Sequence, residues 1–361
     1  MLPQGTWFFQ NLPFIIAGIT GLGSVIAFHE LGHFIFCKLF NVHVPTFSIG
    51  FGPQILKKKI GETTFTLSLI PIGGYVEAEM GQTESMSPDR HMDTKPYWQK
   101  MCIACGGIFF NLIFGFVILF GLSLTGIPAN PFLMHHGSYT IKKIMADSPA
   151  QKADLQPGDE LLTINGMVVS SHIGKLFEAL EPLAGKEAVI AYQRQGEQKS
   201  VTVTVGSRET KGKTHGVLGI EEFSFPSLPA TSFVGALKQS ISLTIELIKS
   251  TATGLAQAFK KKSTQNLAGP LMMISLTIAS AGQGIKLFLI FLTLISITLA
   301  VINVVPLPIL DGGRIFTYTL EAIIRRPLPE QFNVGMHYFS WALMIVLFVY
   351  LTIKDLTHLF F

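Results

Sequence analysis

Charge is what this sequence has little of. Only 14% of its 361 residues are Asp, Glu, Lys or Arg, against 48% hydrophobic. That balance excludes an ordinary soluble domain, where about a quarter of residues are charged. Cysteine is also sparse. Cys37, Cys102 and Cys105 are too few for a disulfide framework, and the CxxC at 102 and 105 opens an apolar run, so it reads as two small hydrophobes rather than a metal or redox pair. No basic residue precedes the first apolar run, so the N-terminus lacks the basic region of a cleaved secretory signal and the run reads as a retained transmembrane helix. Lys and Arg are scattered despite a net charge of +4, which leaves no nucleic-acid footprint and no nucleic acid among the expected partners.

In place of charge there are long apolar runs. Residues 12–40, 103–127, 285–305 and 334–353 each reach the roughly 20 residues that a bilayer crossing requires. The fold class is therefore a polytopic α-helical membrane protein of about four transmembrane helices, with a membrane-associated β-hairpin loop and one extracytoplasmic domain, and the lipid bilayer is its first partner. By segment, 1–40 holds the first helix, 41–101 a cytoplasmic or re-entrant β-rich loop and 102–128 the second helix. The soluble domain spans 138–206, an amphipathic linker region 230–284, the third helix 285–313 and the fourth 334–354. Lys and Arg in short loops stay cytoplasmic. The first loop holds Lys57, Lys58, Lys59, Arg90, Lys95 and Lys100, and the loop after the third helix holds Arg314, Arg325 and Arg326. Both termini and the soluble domain are thus expected outside.

Residues 44–80 read as β structure. Gly50 and Gly52 punctuate the stretch from Phe47 to Pro53, Phe65 to Leu69 alternates at the strand period, and Gly73-Gly74 precedes Tyr75. Two readings stand. One is a surface hairpin with no role; the other is a re-entrant hairpin whose edge takes an extended substrate, with Phe65, Leu67, Gly73 and Gly74 facing it. Further on, Ser148 to Gly166 runs through a short helix, a Gly158-Asp159 turn, a strand and an Asn165-Gly166 turn, and Val201 to Val205 alternates. This resembles a PDZ domain. Residues 232–262 place Phe233, Leu237, Ile241, Ile245 and Ile248 at helical spacing and end in three lysines, as an interfacial amphipathic helix would.

Into the end of the first run are set His29-Glu30-Leu31-Gly32-His33. Four residues apart on a helix, the two imidazoles share one face and can hold one metal ion with Glu30 alongside as a base. Neutral imidazoles suit Zn²⁺, the metal acidifies a bound water, and a carboxylate moves the proton. HExxH also arises by chance, but ionisable groups at membrane depth are costly and mark function. A catalytic zinc needs a third protein ligand. The third run closes as Asn303-Val304-Val305-Pro306-Leu307-Pro308-Ile309-Leu310-Asp311, where two prolines break the helix just before a carboxylate. Loop charges put that end at the depth of the histidines, near the cytoplasmic face, so Asp311 is the expected ligand. His337, at the start of the fourth run, is the alternative, in which case Asp311 only caps the break.

HELGH, Gly107-Ile108-Phe109-Phe110-Asn111, the PDZ-like insert and NxxPxPxLDG from Asn303 to Gly312 together resemble the site-2 protease family of intramembrane zinc metalloproteases. An insert on the far side of the membrane points to the bacterial regulator-of-sigma-E branch. The resemblance implies Zn²⁺ on His29, His33 and Asp311, Glu30 as general base, and Asn111, Asn303 and Pro306 as groups that hold or polarise substrate. It implies cleavage in or at the edge of the membrane helix of single-pass proteins, such as anti-sigma factors or remnant signal peptides, in a bacterial inner membrane after an upstream site-1 protease has trimmed them. The chain departs from the pattern in having room for one PDZ module rather than two, Thr298 where Asn is frequent, and Arg314 where His is common. Two other classes compete. A non-catalytic PDZ-bearing membrane adaptor predicts no bound zinc, and a metal transporter needs more intramembrane carboxylates than Glu30 and Asp311.

Overall fold

The first apolar run forms α1 (Gln4–Leu39) in the computed structural model, which describes residues 4–77, 90–130, 133, 139–170, 173–210, 213–261 and 269–360. Asn41, in the left-handed region, ends the helix and turns the chain into β1 (Thr46–Ile60) and β2 (Thr63–Glu77). Each of these is bent into two halves. Residues 54–60 pair antiparallel with 63–68 across the turn at Gly61, and Thr46 to Ile49 lies against Thr64 to Leu67, with numbers rising on both sides, and against Gly74 to Glu77 running the other way. Among the described residues the strand order is thus 54–60, 63–68, 46–49, 74–77, with the last of these at an edge. Phe34 of α1 packs its ring against Phe47 and Phe65 at 5.4 and 5.6 Å, which seats one face of the sheet on the helix. Residues 78–80 of the expected hairpin lie outside the described residues.

The chain continues in α2 (Tyr97–Thr125), which starts five residues ahead of the expected 102 because its polar first turn, with Trp98 and Lys100, continues the same helix. α1 and α2 cross in direct backbone contact. A Cβ at Gly32 would strike the Gly106 carbonyl, and one at Gly106 would lie 2.7 Å from the Gly32 carbonyl oxygen. Small residues at a crossing let membrane helices approach this closely.

Residues Leu122–Gly235 form a separate unit. In order it contains β3 (Thr140–Ile144), α3 (Pro149–Lys152), β4 (Glu160–Ile164), β5 (Met167–Val168), α4 (Ile173–Leu180), β6 (Glu187–Arg194), β7 (Glu197–Thr204), β8 (Gly206–Thr210), β9 (Lys213–Val217) and β10 (Ile220–Ser224). The main sheet has the order β10-β3-β4-β6-β7 with β5 on β4, and β8 pairs with β9. Leu161, Ile164, Leu176, Ile190 and Val203 share its core. Buried Asp159 is held by Arg194 through Nε at 2.7 Å and Nη2 at 2.8 Å, which satisfies the carboxylate on both oxygens. The expected domain end at 206 falls short: the sheet takes a further strand, β10, on the free edge of β3. That strand is only five residues long, and its two apolar residues, Ile220 and Phe223, do not alternate, which leaves no strand signal.

Among the described residues five helices follow: α5 (Phe233–Lys261), α6 (Pro270–Gly282), α7 (Ile285–Asn303), α8 (Asp311–Ile324) and α9 (Glu330–Phe360). In α5 the buried face is Ala236, Ser240, Leu243 and Leu247, while Phe233, Leu237, Ile241 and Ile245 form an exposed apolar stripe; Lys262 lies outside the described residues. The expected linker region also holds α6, 13 apolar residues too short to read as a crossing. It packs on α1, α7 and α9. Its N-terminus is capped from α9, where Asp355 accepts the amide protons of Gly269 at 3.1 Å and Met272 at 2.9 Å. α7 stops at Asn303 because Pro306 and Pro308 cannot donate to a continuing helix, and α8 starts at Asp311. Among the described residues four helices are long and apolar enough to cross a membrane: Asn11–Leu39, Tyr97–Thr125, Ile285–Asn303 and Val334–Thr357.

Candidate metal centre

Helical spacing stacks His29 and His33 on one face of α1, and the proline-broken end of α7 delivers the first residue of α8 to them. His29 Nε2 lies 3.2 Å from Asp311 Oδ2, His33 Nε2 lies 3.2 Å from Asp311 Oδ1, and the two Nε2 atoms are 3.3 Å apart. These separations carry a geometric meaning. Donors about 2.0 Å from a tetrahedral zinc sit about 3.3 Å from one another. The three residues are also the group whose ligand atoms converge on one point among the described residues. Both histidines are under 10% exposed, and Asp311 Oδ2 is buried without accepting a hydrogen bond. Buried polar atoms lacking partners are costly, and a cation at this point would satisfy all three. The donor set, two imidazoles and one carboxylate, fits Zn²⁺ with a fourth position left open.

The surroundings fix the imidazoles. His33 Nδ1 donates to the Ile103 carbonyl at 2.8 Å, which leaves the lone pair on Nε2, the atom facing Asp311. His29 Nδ1 meets the Asn111 amide at 3.1 Å, and Asn111 is fully buried with its Oδ1 unpartnered. A metal on His29 Nε2 requires the proton on Nδ1. Turning the Asn111 amide by about 180° then brings its orphaned oxygen onto that N–H and satisfies both groups. The Ser296 hydroxyl, from α7, donates to the Asn111 carbonyl at 2.9 Å and ties α2 in place. Asn303, at the end of α7, points its amide nitrogen at His29 Nε2 at 3.4 Å.

Glycines make the room. A Cβ at Gly107 would collide with His33 Nε2 and come within 2.5 Å of the His29 ring. One at Gly312 would strike the carbonyls of Val304 and Val305, so the broken segment folds back on α8 at contact distance. Glu30 is half-buried, interacts electrostatically with His29, His33, Asp311 and Arg314, and lies with its γ-carbon 3.1 Å from where a Gly74 Cβ would stand. The edge strand at 74–77 therefore runs beside Glu30. Gly73 keeps a positive φ of 122°, and a side chain there would meet the Phe51 ring.

The remaining expected residues are placed less evenly. Leu67 is exposed, but Phe65 packs its ring on Phe34 and Phe47 and faces the helix instead of a partner strand. Pro306 is exposed on the segment between α7 and α8. His337 lies in α9, and its side chain is outside the described residues. Asn111 is fully buried, with its side chain against His29 Nδ1. In the sequence Gly107 stands only as part of a motif, without a role, and neither Ser296 nor the Ile103 carbonyl is singled out. Only the Gly106-Gly107 pair inside an apolar run gave a signal, that of a close helix crossing.

Comparison with known proteins adds an independent line. The family model described as Peptidase family M50 matches residues 17–347. A Clostridium acetobutylicum protein whose name includes the words zinc metalloprotease is 31% identical over 346 residues, 95% of this chain and 97% of its own. One from Clostridium perfringens with the same words in its name is 28% identical over 347 residues, 95% and 98% of the two chains. Zinc metalloprotease RasP of Geobacillus kaustophilus is 24% identical over 432 residues, 97% of this chain and 99% of its own.

Proposed function

The chain belongs to peptidase family M50, the site-2 proteases, and from that premise we propose that this multi-pass membrane protein is a zinc metalloendopeptidase that cuts the membrane helices of single-pass proteins, with His29, His33 and Asp311 as zinc ligands and Glu30 as general base. The observation that carries the assignment is the convergence of three donor atoms at 3.2–3.3 Å from two separate helices, with Glu30 next in sequence to the first. Zn²⁺, when bound, acidifies a water and polarises the scissile carbonyl. The chain's own residues do the rest. Glu30 takes the water's proton and returns it to the leaving amine. Asn111 and the Ile103 carbonyl hold the two imidazoles in the ligating tautomer, and Asn303 offers an N–H donor to oxygen developing charge beside His29.

A membrane helix hides its carbonyls in internal hydrogen bonds, so the substrate must unwind before it can be cut. The strand at 74–77, an edge among the described residues, supports a role in holding the unwound stretch as an added strand. Gly74 carries no side chain to separate that strand from Glu30. The unit at Leu122–Gly235, a mostly antiparallel sheet with helices α3 and α4, fits a PDZ domain that admits only substrates with trimmed outer portions. Positive charge in the loops supports a topology with it and both termini outside and the metal centre near the cytoplasmic face. The substrates suited to this arrangement are anti-sigma factors and remnant signal peptides in a bacterial inner membrane, after a site-1 protease has acted. The test is a panel of single-span proteins reconstituted with the purified enzyme. Cleavage should stop with a zinc chelator and return on adding Zn²⁺; cleavage indifferent to the chelator, or no bound zinc, would overturn the reading and favour a non-catalytic adaptor.

A further inference from the structure

Glu62 occupies the turn between the two halves of the hairpin, and both of its carboxylate oxygens are taken. Lys38 Nζ, in the last turn of α1, donates to Oε1 at 2.6 Å, and Arg90 Nη2 donates to Oε2 at 2.6 Å. His43 Nδ1 stands 3.4 Å from Oε2. Three separate segments thus meet on one carboxylate. Backbone bonds close the same junction: Thr63 Oγ1 donates to Val44 O at 2.7 Å, Thr64 N to Pro45 O at 2.8 Å, and His43 N to Arg90 O at 3.0 Å. Lys38 also lies 5.6 Å over the Phe34 ring, which seats the sheet on α1. A lone surface ion pair contributes little, but a carboxylate shared by two cations from different segments is a network that holds geometry. Arg90 and Lys38 hold the Glu62 carboxyl at about 2, so it is ionised throughout the working range of pH.

From this junction two routes lead to the catalytic base. Along α1, Lys38 is five residues beyond His33 and eight beyond Glu30. Across the sheet, Thr64 to Leu67 pairs with Thr46 to Ile49, which pairs with Gly74 to Glu77, and Gly74 abuts Glu30. We infer that Glu62 is a positioning residue: by gripping Lys38 and Arg90 together it locks the sheet to the end of α1 and so sets the gap between the substrate-holding edge at 74–77 and Glu30. The inference rests on the proposed function for what the edge holds, whereas the lock itself is a property of the fold.

The test uses the full-length protein in nanodiscs and compares wild type with Glu62→Gln, Lys38→Met and Lys38→Arg, reading amide hydrogen exchange, bound zinc and the kinetics of a single-span substrate. With Glu62→Gln and Lys38→Met, amides of 46–49, 64–67 and 74–77 should exchange about tenfold faster, bound zinc should be unchanged, and KM should rise about tenfold with kcat within about twofold, the pattern of lost substrate positioning. Lys38→Arg keeps the pair and should match wild type. Exchange and KM unchanged in Glu62→Gln would overturn the inference. Should that variant fail to fold, the lysine pair decides: a loosened Lys38→Met beside a normal Lys38→Arg supports the lock, and two identical variants refute it. Glu62-dependent exchange in a protein that cleaves nothing would sink the protease reading and leave the lock standing.

Discussion

Replacing Gly107 by Ala should empty the metal centre without unfolding the protein. The new Cβ would lie 2.5 Å from His29 Cε1, 2.7 Å from His29 Nδ1 and closer still to His33 Nε2. Non-bonded carbon atoms settle at about 3.5–4.0 Å, so both rings must retreat by about 1 Å. Two effects oppose each other. Ala in a helix interior gains about 1 kcal/mol over Gly, while overpacking costs about 1–3 kcal/mol; the net loss of stability is therefore about 0–2 kcal/mol, short of unfolding. The change at the site is not small. Functional constellations tolerate about 0.5 Å, and a misplacement of about 1 Å costs about a hundredfold in rate. Gly121→Ala on the same helix is the control, since nothing lies within 4 Å of its Cβ. Zinc per mole by elemental analysis and cleavage of a single-span reporter should both collapse in Gly107→Ala and stay normal in Gly121→Ala. A Gly107→Ala protein with full zinc and activity within about twofold of wild type would refute the packing argument.

Other expectations follow from single contacts. Asp311→Ala should lower bound zinc well below stoichiometric; full retention would move the third ligand elsewhere, with His337 first in line. Asn111→Ala removes the partner of His29 Nδ1 and should weaken zinc binding about 10- to 100-fold, read by competition with a chromogenic chelator, while folding is kept. Asp355→Ala leaves the amides of Gly269 and Met272 without their cap and should lower stability by about 1–2 kcal/mol, visible as a fall in Tm, with bound zinc unchanged because the cap is on α6 and α9, not on the ligand-bearing helices.

Local patterns were the most legible part of the chain. The four long apolar helices were visible because a bilayer crossing is written as uninterrupted length, and HELGH because a helix brings residues four apart together whatever surrounds it. The prolines before Asp311 announce a broken helix end, and the fold brings that residue within 3.2 Å of both histidines. What escaped depends on contacts between segments far apart in sequence. α6 is 13 residues long and exists as a packed helix only against α1, α7 and α9. The loop after α1 read as one hairpin, but each strand bends at its glycines and contributes twice to the sheet. Phe65 alternates as an outward residue would, yet tertiary packing turns it onto Phe34. Asn111 looks from the sequence like a polar group offered to substrate; only the fold shows it behind His29. Gly107 carries no side chain to read, and its meaning lies in what would collide with it.

The most direct test of the account maps the cut. A single-span substrate reconstituted with wild type and with Glu30→Gln should be analysed by mass spectrometry of its fragments, beside the zinc content of both enzymes. Wild type should cut within or at the edge of the apolar segment, and Glu30→Gln should keep its zinc while losing about 10²- to 10⁴-fold in rate. A cut confined to the extramembrane portion, or one undiminished in Glu30→Gln, would contradict it.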